Sequence, residues 1–85
     1  KEIEDKLNFL NLNLTQNQFD ALVSFIFNVG WSNFKSSTLL KKIKINPDDP
    51  SIRGEFGRWV FANGKKLNGL IKRRKDEAGL YFDET

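Results

Sequence analysis

Carboxylates are the only side chains in this sequence that are suited to acid–base chemistry. The 85-residue chain has no histidine and no cysteine, which excludes a Ser-His-Asp triad, a thiolate nucleophile, a disulfide scaffold and a cysteine-based zinc site. Hydrolysis of a glycoside requires two carboxylates placed across a cleft. Asp48 and Asp49 are adjacent, but they lie between two prolines, where a helix cap is the expected role. The sequence therefore predicts no catalytic residue, no metal site and no cofactor.

The densest charge is a run of four basic residues, 72–75, followed directly by Asp76 and Glu77. In a nucleic-acid-binding protein such a helix would contact phosphates. Four consecutive residues of a helix point in four directions, however, so at least one must face sideways or inward. Arg74 lies on the apolar stripe of its helix. We predict that it is buried and paired, and that the two acidic residues bind neighbouring cations.

Charge is distributed unevenly along the chain. Residues 35–75 carry twelve basic and three acidic side chains, a net charge of +9, whereas residues 1–34 carry −2 and residues 76–85 carry −4. A basic block between acidic ends indicates a polyanionic partner, such as nucleic acid or a cell-wall polymer. Solvated helix faces are the alternative interpretation. Trp59, next to Arg58 in this block, has two interpretations as well: a core residue, which we favour, or a platform for a sugar.

These side chains must be positioned by helices, because the apolar residues recur at helical spacing and no alternating strand pattern occurs. Ile3 and Leu7 predict a short amphipathic helix, followed by an extended connector up to residue 13. Thr15 and Gln18 fit a capping box. The following helix is apolar on nearly all sides, ends at Gly30 and should occupy the middle of the core.

The second half of the chain predicts three more helices joined by loops. Ser36 or Ser37 caps a helix over residues 38–45, and a proline-rich loop follows at residues 46–50. The next helix runs from residue 50 to residue 62, and its Gly54 and Gly57 should let another backbone approach closely. Residues 65–68 form a loop before the last helix. The predicted fold is all-α, with four or five short helices.

Several motifs then occur in the order in which phage-type lysozymes carry them. They are LTQNQFDALVSF at 14–25, FNVG at 27–30, FKSSTLL at 34–40, Arg58-Trp59, Gly64-Lys65, GLIKRR at 69–74 and Glu77. The chain therefore resembles glycoside hydrolase family 24 over about residues 14–81, and several separate motifs in one order are more specific than any single match. Asn13 departs from the pattern, since many relatives have proline there.

The resemblance implies a two-lobed, lysozyme-like fold with the substrate cleft between the lobes. Enzymes of this family are endolysins that cleave the bond between N-acetylmuramic acid and N-acetylglucosamine in peptidoglycan. Their catalytic glutamate, aspartate and threonine belong to an N-terminal lobe whose motifs do not occur in this sequence. We therefore expect residues 1–13 to be the end of an inter-lobe helix with its connector, residues 14–85 to be the C-terminal lobe, and the chain alone to be inactive.

The resemblance also implies which residues contact the substrate. In this lobe the family binds glycan around the end of the core helix and the start of the next one, which corresponds here to Phe27, Asn28, Ser37 and Thr38. Each has a structural alternative, since Phe27 could pack in the core and Ser37 or Thr38 could only cap a helix. The expected partners are peptidoglycan strands and the missing catalytic lobe, with no nucleic acid and no membrane span.

Three functions remain open from the sequence: the lobe of a muramidase, a peptidoglycan-binding module that does not cleave, and a basic helical nucleic-acid binder. The first implies a phage or prophage protein made in the bacterial cytoplasm that acts on the cell wall, from the periplasm or from outside. Without the other lobe, apolar residues of the first segment should be exposed. We expect that patch to be covered, either in a homodimer through residues 1–13 or by folding back onto the domain. The patch consists of Ile3, Leu7, Phe9, Leu10 and Leu12.

Overall fold

The computed structural model describes residues 2–83 of the chain. Within that range the elements are helices except for one short hairpin, which confirms the all-α class. The helices are α1 (Glu2–Phe9), α2 (Gln16–Val29), α3 (Trp31–Lys35), α4 (Thr38–Ile45), α5 (Ile52–Phe56) and α6 (Asn68–Tyr81), with β1 (Phe61–Ala62) and β2 (Lys65–Lys66) between α5 and α6. There is one helix more than predicted, because residues 31–35, expected as a link, form a helical turn.

Helix α2 lies in the middle of the core, as its apolar sequence predicted. Its N-terminus has the full capping box: the Thr15 hydroxyl accepts a hydrogen bond from the Gln18 amide, and the Gln18 side chain accepts one from the Thr15 amide. Its C-terminus lies at Gly30, whose φ of 98° and ψ of 150° favour glycine. Helix α6 packs along α2. Phe25, fully buried between them, makes edge-on ring contacts with Phe34 and Phe56.

A buried ion pair within α6 faces α2 and is hydrogen-bonded to Ser24 of that helix. Arg74 and Glu77 expose only 2% and 4% of their area, and Arg74 Nε lies 2.8 Å from Glu77 Oε1. These two atoms are too poorly aligned for a hydrogen bond, but Arg74 Nη2 donates to Glu77 Oε2 at 3.1 Å and Ser24 Oγ donates to the same oxygen at 2.7 Å. Burial lowers the pKa of Arg74 from its ordinary value, and Glu77 opposes that change. The prediction of a buried, paired arginine is confirmed.

The other charges of the run 72–75 also follow the prediction. Lys72 Nζ lies 2.9 Å from Asp76 Oδ2, and Arg73 Nε lies 3.4 Å from Glu77 Oε2. Both acidic residues therefore bind cations one turn away on the same helix. With Lys72, Arg73 and Arg74 paired, the helix offers less charge to nucleic acid than its sequence suggests.

The proline-flanked aspartates have structural partners. Asp49 accepts hydrogen bonds from the amide and the hydroxyl of Ser51, which hold the pKa of Asp49 below its ordinary value. Asp48 accepts one from the Gln18 side chain. The Tyr81 hydroxyl donates to the Pro47 carbonyl at 2.6 Å, and burial, reinforced by the charge of Asp48, raises the pKa of Tyr81. Asp48 and Pro47 thus attach the loop to α2 and α6. The expected helix cap is not found, because the N-cap residue of α5 is Ser51 and it has no side-chain cap bond.

The prediction for residues 50–68 is wrong in part. Helix α5 ends at Phe56 instead of continuing to residue 62, and residues 61–66 form an antiparallel hairpin. Asn63 and Gly64, with φ angles of 53° and 78°, form the two-residue Asn-Gly turn that favours hairpins. The expected close approach at Gly54 is absent, because a Cβ there would meet nothing within 4 Å, and at Gly57 it would meet only the Gly54 carbonyl at 3.4 Å.

The first segment packs against the domain. Leu7 is fully buried, and the side chains of Ile3, Leu10 and Leu12 are partly buried against the core. Phe9 alone among the five apolar residues of the predicted patch remains strongly exposed, at 86%. The apolar residues that the missing lobe was expected to leave exposed are therefore mostly covered. Of the two predicted ways to cover them, packing onto the domain is the one found.

Candidate functional site

Two adjoining depressions meet at Trp59 and form a groove. One, of about 280 Å³, lies between the start of α4 and the end of α5. The other, of about 390 Å³, lies between the end of α2 and the hairpin. The first is lined by Ser36, Ser37, Thr38, Glu55, Arg58 and Trp59, and the second by Asn28, Val29, Asn33, Trp59, Phe61, Ala62, Leu67 and Leu70. We call these two depressions together the Trp59 groove.

Trp59 belongs both to the core and to the groove. Its ring contacts Phe25 edge-on, with 5.8 Å between the centroids, and its carbonyl accepts a long hydrogen bond of 3.5 Å from Arg74 Nη1. The residue is nevertheless only partly buried. The two interpretations of Trp59 are therefore compatible, because one part of the indole is held by the core and the rest lines the groove wall.

Glu55 is the one carboxylate among the lining residues of the groove. It is buried, with 6% of its area exposed, and each of its oxygens binds a cation. Lys42 Nζ lies 3.0 Å from Oε2, and Arg58 Nε lies 3.3 Å from Oε1. The side chain of Arg58 is 70% exposed, so its guanidinium is positioned by Glu55 and open to a ligand. No second carboxylate lines the groove in the part of the chain described.

The structure brings three of the four predicted contact residues to this groove. Asn28 lines one depression, and Ser37 and Thr38 line the other. The Ser37 hydroxyl donates to the Phe34 carbonyl at 2.6 Å and accepts from the Leu40 amide at 3.1 Å. Ser37 therefore caps α4, which was its predicted structural role. Only one lone pair of its hydroxyl oxygen is left to accept a hydrogen bond from a ligand. Thr38 is exposed at the first position of the helix.

Phe27 is the predicted contact residue that lies outside the lining of both depressions. It is 76% exposed, so the alternative that it packs in the core is wrong. Phe27 is exposed near the end of α2 that borders the groove. That it contacts the substrate stays a prediction.

Sequence reasoning missed the contribution of the hairpin to the groove. Phe61 is 57% exposed and Leu67 is 43% exposed, and both line the depression that Asn28 enters. The Asn-Gly pair at residues 63 and 64 was the available signal, because it favours a two-residue hairpin turn. Asn33 was also missed, and its amide donates to the Val29 carbonyl at 2.7 Å, which fixes that side of the groove.

A family model described as phage lysozyme matches residues 1–77. The chain belongs to the phage lysozyme family. Among curated relatives, it is 47% identical to an endolysin of Bacillus phage B103 over 92% of this chain, and 49% identical to an endolysin of Acyrthosiphon pisum secondary endosymbiont phage 1 over 80% of it. It is also 46% identical to a SAR-endolysin of Escherichia phage Mu over 80% of this chain. The resemblance inferred from residues 14–81 is confirmed.

The chain spans only part of the length of these relatives. The matched stretches cover 28% of the B103 endolysin, 49% of the endosymbiont phage endolysin and 39% of the Mu protein. Such partial coverage is consistent with one lobe of a two-lobed lysozyme. Within residues 2–83 no helix is both long enough and apolar enough to cross a membrane.

Proposed function

We propose that this chain is the substrate-binding C-terminal lobe, residues 14–85, of a phage lysozyme, with residues 1–13 forming the end of the inter-lobe helix. The whole protein would hydrolyse the β-1,4 bond between N-acetylmuramic acid and N-acetylglucosamine in peptidoglycan and so lyse the bacterial cell. It would be made in the cytoplasm of a cell carrying the phage or prophage and act on the wall from the periplasm or from outside. The observation that carries the proposal is the Trp59 groove in a chain of this family.

The groove suits a glycan strand chemically. A sugar ring has an apolar face of C–H groups, which packs favourably on an indole such as that of Trp59. The hydroxyl and acetamido groups at the ring edge need polar partners, and Asn28 and Thr38 supply them on the two sides of Trp59. An apolar surface with a few polar groups around it is the usual composition of a small-ligand site.

Binding of N-acetylglucosamine oligomers should depend on Trp59. We expect Trp59→Ala to weaken the affinity of the 85-residue chain about tenfold, the effect of losing about 1.4 kcal/mol of contact energy. The matched control is Trp31→Ala, which removes a second partly buried tryptophan that lines neither depression. Calorimetric titration measures both, and circular dichroism checks that each variant is folded.

A fluorescence measurement tests the same contact without weakening the core. Trp31→Phe leaves Trp59 as the only tryptophan, since the chain has two. Addition of the oligomers should then shift or quench its emission. Unchanged emission, together with equal affinities of the two alanine variants, would contradict a sugar platform at Trp59.

The 85-residue chain alone should not clear a suspension of peptidoglycan. Hydrolysis needs two carboxylates across the cleft, whereas Glu55, the groove carboxylate, has cations on both oxygens. Asp48 and Asp49 serve the 46–50 loop. Turbidity measured beside an active lysozyme on the same suspension checks this. The prediction would be wrong if the purified chain cleared the suspension and the variant Glu55→Gln or Asp48→Asn did not, because that carboxylate would then be catalytic.

A homodimer through residues 1–13 would have to rest on Phe9, the strongly exposed apolar side chain of that segment. Phe9 and Leu10 line a depression of about 440 Å³ with Trp31. If this surface pairs with itself, sedimentation velocity should show a dimer that Phe9→Ser converts to a monomer. A wild-type chain that remains monomeric up to near-millimolar concentration would remove the homodimer from the proposal.

A further inference from the structure

Another depression is lined by a residue next to Trp59, in the segment that leads into the hairpin. Trp59 lines the groove, whereas its neighbour Val60 lines this depression, which has a volume of about 290 Å³. It is bordered by α5, the hairpin and α6. The lining residues are Arg53, Gly57, Val60, Lys66, Ile71, Arg74, Lys75 and Ala78. We call it the rear pocket.

The floor of the rear pocket is apolar and rigid. Val60 and Ala78 are buried, and Ile71 is partly buried beside them. Ile71, Lys75 and Ala78 recur at spacings of four and three and therefore lie on one face of α6. The buried Arg74 belongs to the same face and is paired with Glu77 of the same helix, whose carboxylate accepts a hydrogen bond from Ser24 of α2.

The rim of the rear pocket is cationic. Lys66 comes from β2 and Lys75 from α6, and both are exposed. Neither forms an ion pair with any residue between 2 and 83, and Lys66 Nζ lies 6.0 Å from the Phe61 ring centroid. Arg53 also lines the pocket, and its guanidinium lies 5.1 Å from the Phe82 ring centroid. None of the described residues that line the pocket is acidic, and the charge of Arg74 is compensated by Glu77.

We propose that the rear pocket binds phosphate groups of a polyol phosphate polymer of the bacterial cell wall. Two ammonium groups attract an anionic phosphodiester as point charges, which is the way in which lysine binds phosphate. The methylene groups of the polyol would contact the floor formed by Val60, Ile71 and Ala78. The choice of a wall polymer rests on the proposed function, which brings this chain to peptidoglycan.

Such a site would complement the Trp59 groove. Because Trp59 and Val60 line different depressions, the glycan and the polymer could be held at the same time. Two sites that engage one wall raise the effective concentration of each ligand at the other site. The polymer would therefore retain the lobe at the wall while the groove exchanges glycan strands.

The test uses short synthetic poly(glycerol phosphate) chains and the 85-residue chain labelled with nitrogen-15. We expect amide signals of Gly57, Lys66 and Lys75 to shift on titration, while those of Asn28 and Thr38 stay in place. Lys66→Gln/Lys75→Gln should weaken the affinity roughly tenfold, as expected for two partly screened charge contacts. The matched control, Lys41→Gln/Lys44→Gln, removes two exposed lysines of α4 and should change the affinity less than twofold.

Other results would overturn the proposal. Equal weakening by both double variants would mean diffuse attraction by net charge, and shifts confined to groove residues would place the polymer elsewhere. Tighter binding to DNA of equal charge, or to phosphatidylglycerol vesicles, would contradict a wall polymer as the ligand. The two proposals fail separately, because Lys75→Gln alone should weaken polymer binding and leave oligosaccharide binding unchanged, and Trp59→Ala should leave the polymer shifts unchanged.

Discussion

Replacing Phe25 with alanine is expected to lower the free energy of unfolding of the 85-residue chain by about 3–5 kcal/mol. The side chain is fully buried, and its ring contacts those of Phe34, Phe56 and Trp59 within 6.3 Å. The Arg74 guanidinium also lies 5.0 Å from it. Truncation would leave a cavity at the point where α2, α3, α5 and α6 meet. Since small domains are marginally stable, a loss of this size would unfold much of the population.

Urea denaturation followed by circular dichroism measures this loss. Phe27→Ala is the matched control, because it removes the same side chain two residues further along α2 at a position that is 76% exposed. We expect the control to change stability by no more than about 0.5 kcal/mol. A loss below about 1 kcal/mol for Phe25→Ala, where core truncations cost several times more, would mean that the assignment of the core face of α2 is wrong.

The second large effect is expected from Glu77→Gln, which removes the countercharge of a buried cation. Arg74 is 2% exposed, and without Glu77 its charge would stay in the core uncompensated. Breaking a buried pair in this way costs about 3–5 kcal/mol. Ser24 would also lose the carboxylate that accepts its hydrogen bond. The neighbouring Asp76→Asn breaks an exposed pair with Lys72 and should cost less than about 1 kcal/mol.

A double variant separates the charge from the packing. Replacing both members of the pair with apolar residues, as in Arg74→Met/Glu77→Leu, removes the uncompensated charge and keeps most of the volume. Such replacements are often neutral or stabilising, so the double variant should be more stable than Glu77→Gln. Equal destabilisation of the two would show that Arg74 matters through its geometry, including its hydrogen bond to the Trp59 carbonyl.

Local sequence signals predicted the helical elements well, because they act over three or four residues. The capping box at Thr15, the glycine that ends α2 and the Ser37 cap of α4 all depend on neighbours in the chain, and the structure confirms each. The burial of Arg74 was also predictable, since its position on the apolar stripe is a matter of helical spacing. Residues 50–68 were predicted less well, because the helical spacing of Phe56 and Trp59 and the Asn-Gly turn signal indicate different structures within a few residues of each other.

The sequence by itself determined the family, the all-α class and which residue types were available for chemistry. Only the tertiary structure decided what Trp59 does, because its neighbours are far away in the chain: its ring contacts Phe25, its carbonyl binds Arg74, and Thr38 and Asn28 line the same depressions. It also decided that Glu55 has cations on both oxygens and that Lys66 and Lys75 share a pocket. Helical periodicity gives the direction of a side chain on its own helix. Which surface that side chain meets depends on how α2, α5, α6 and the hairpin pack, and that packing is set by contacts between residues distant in sequence.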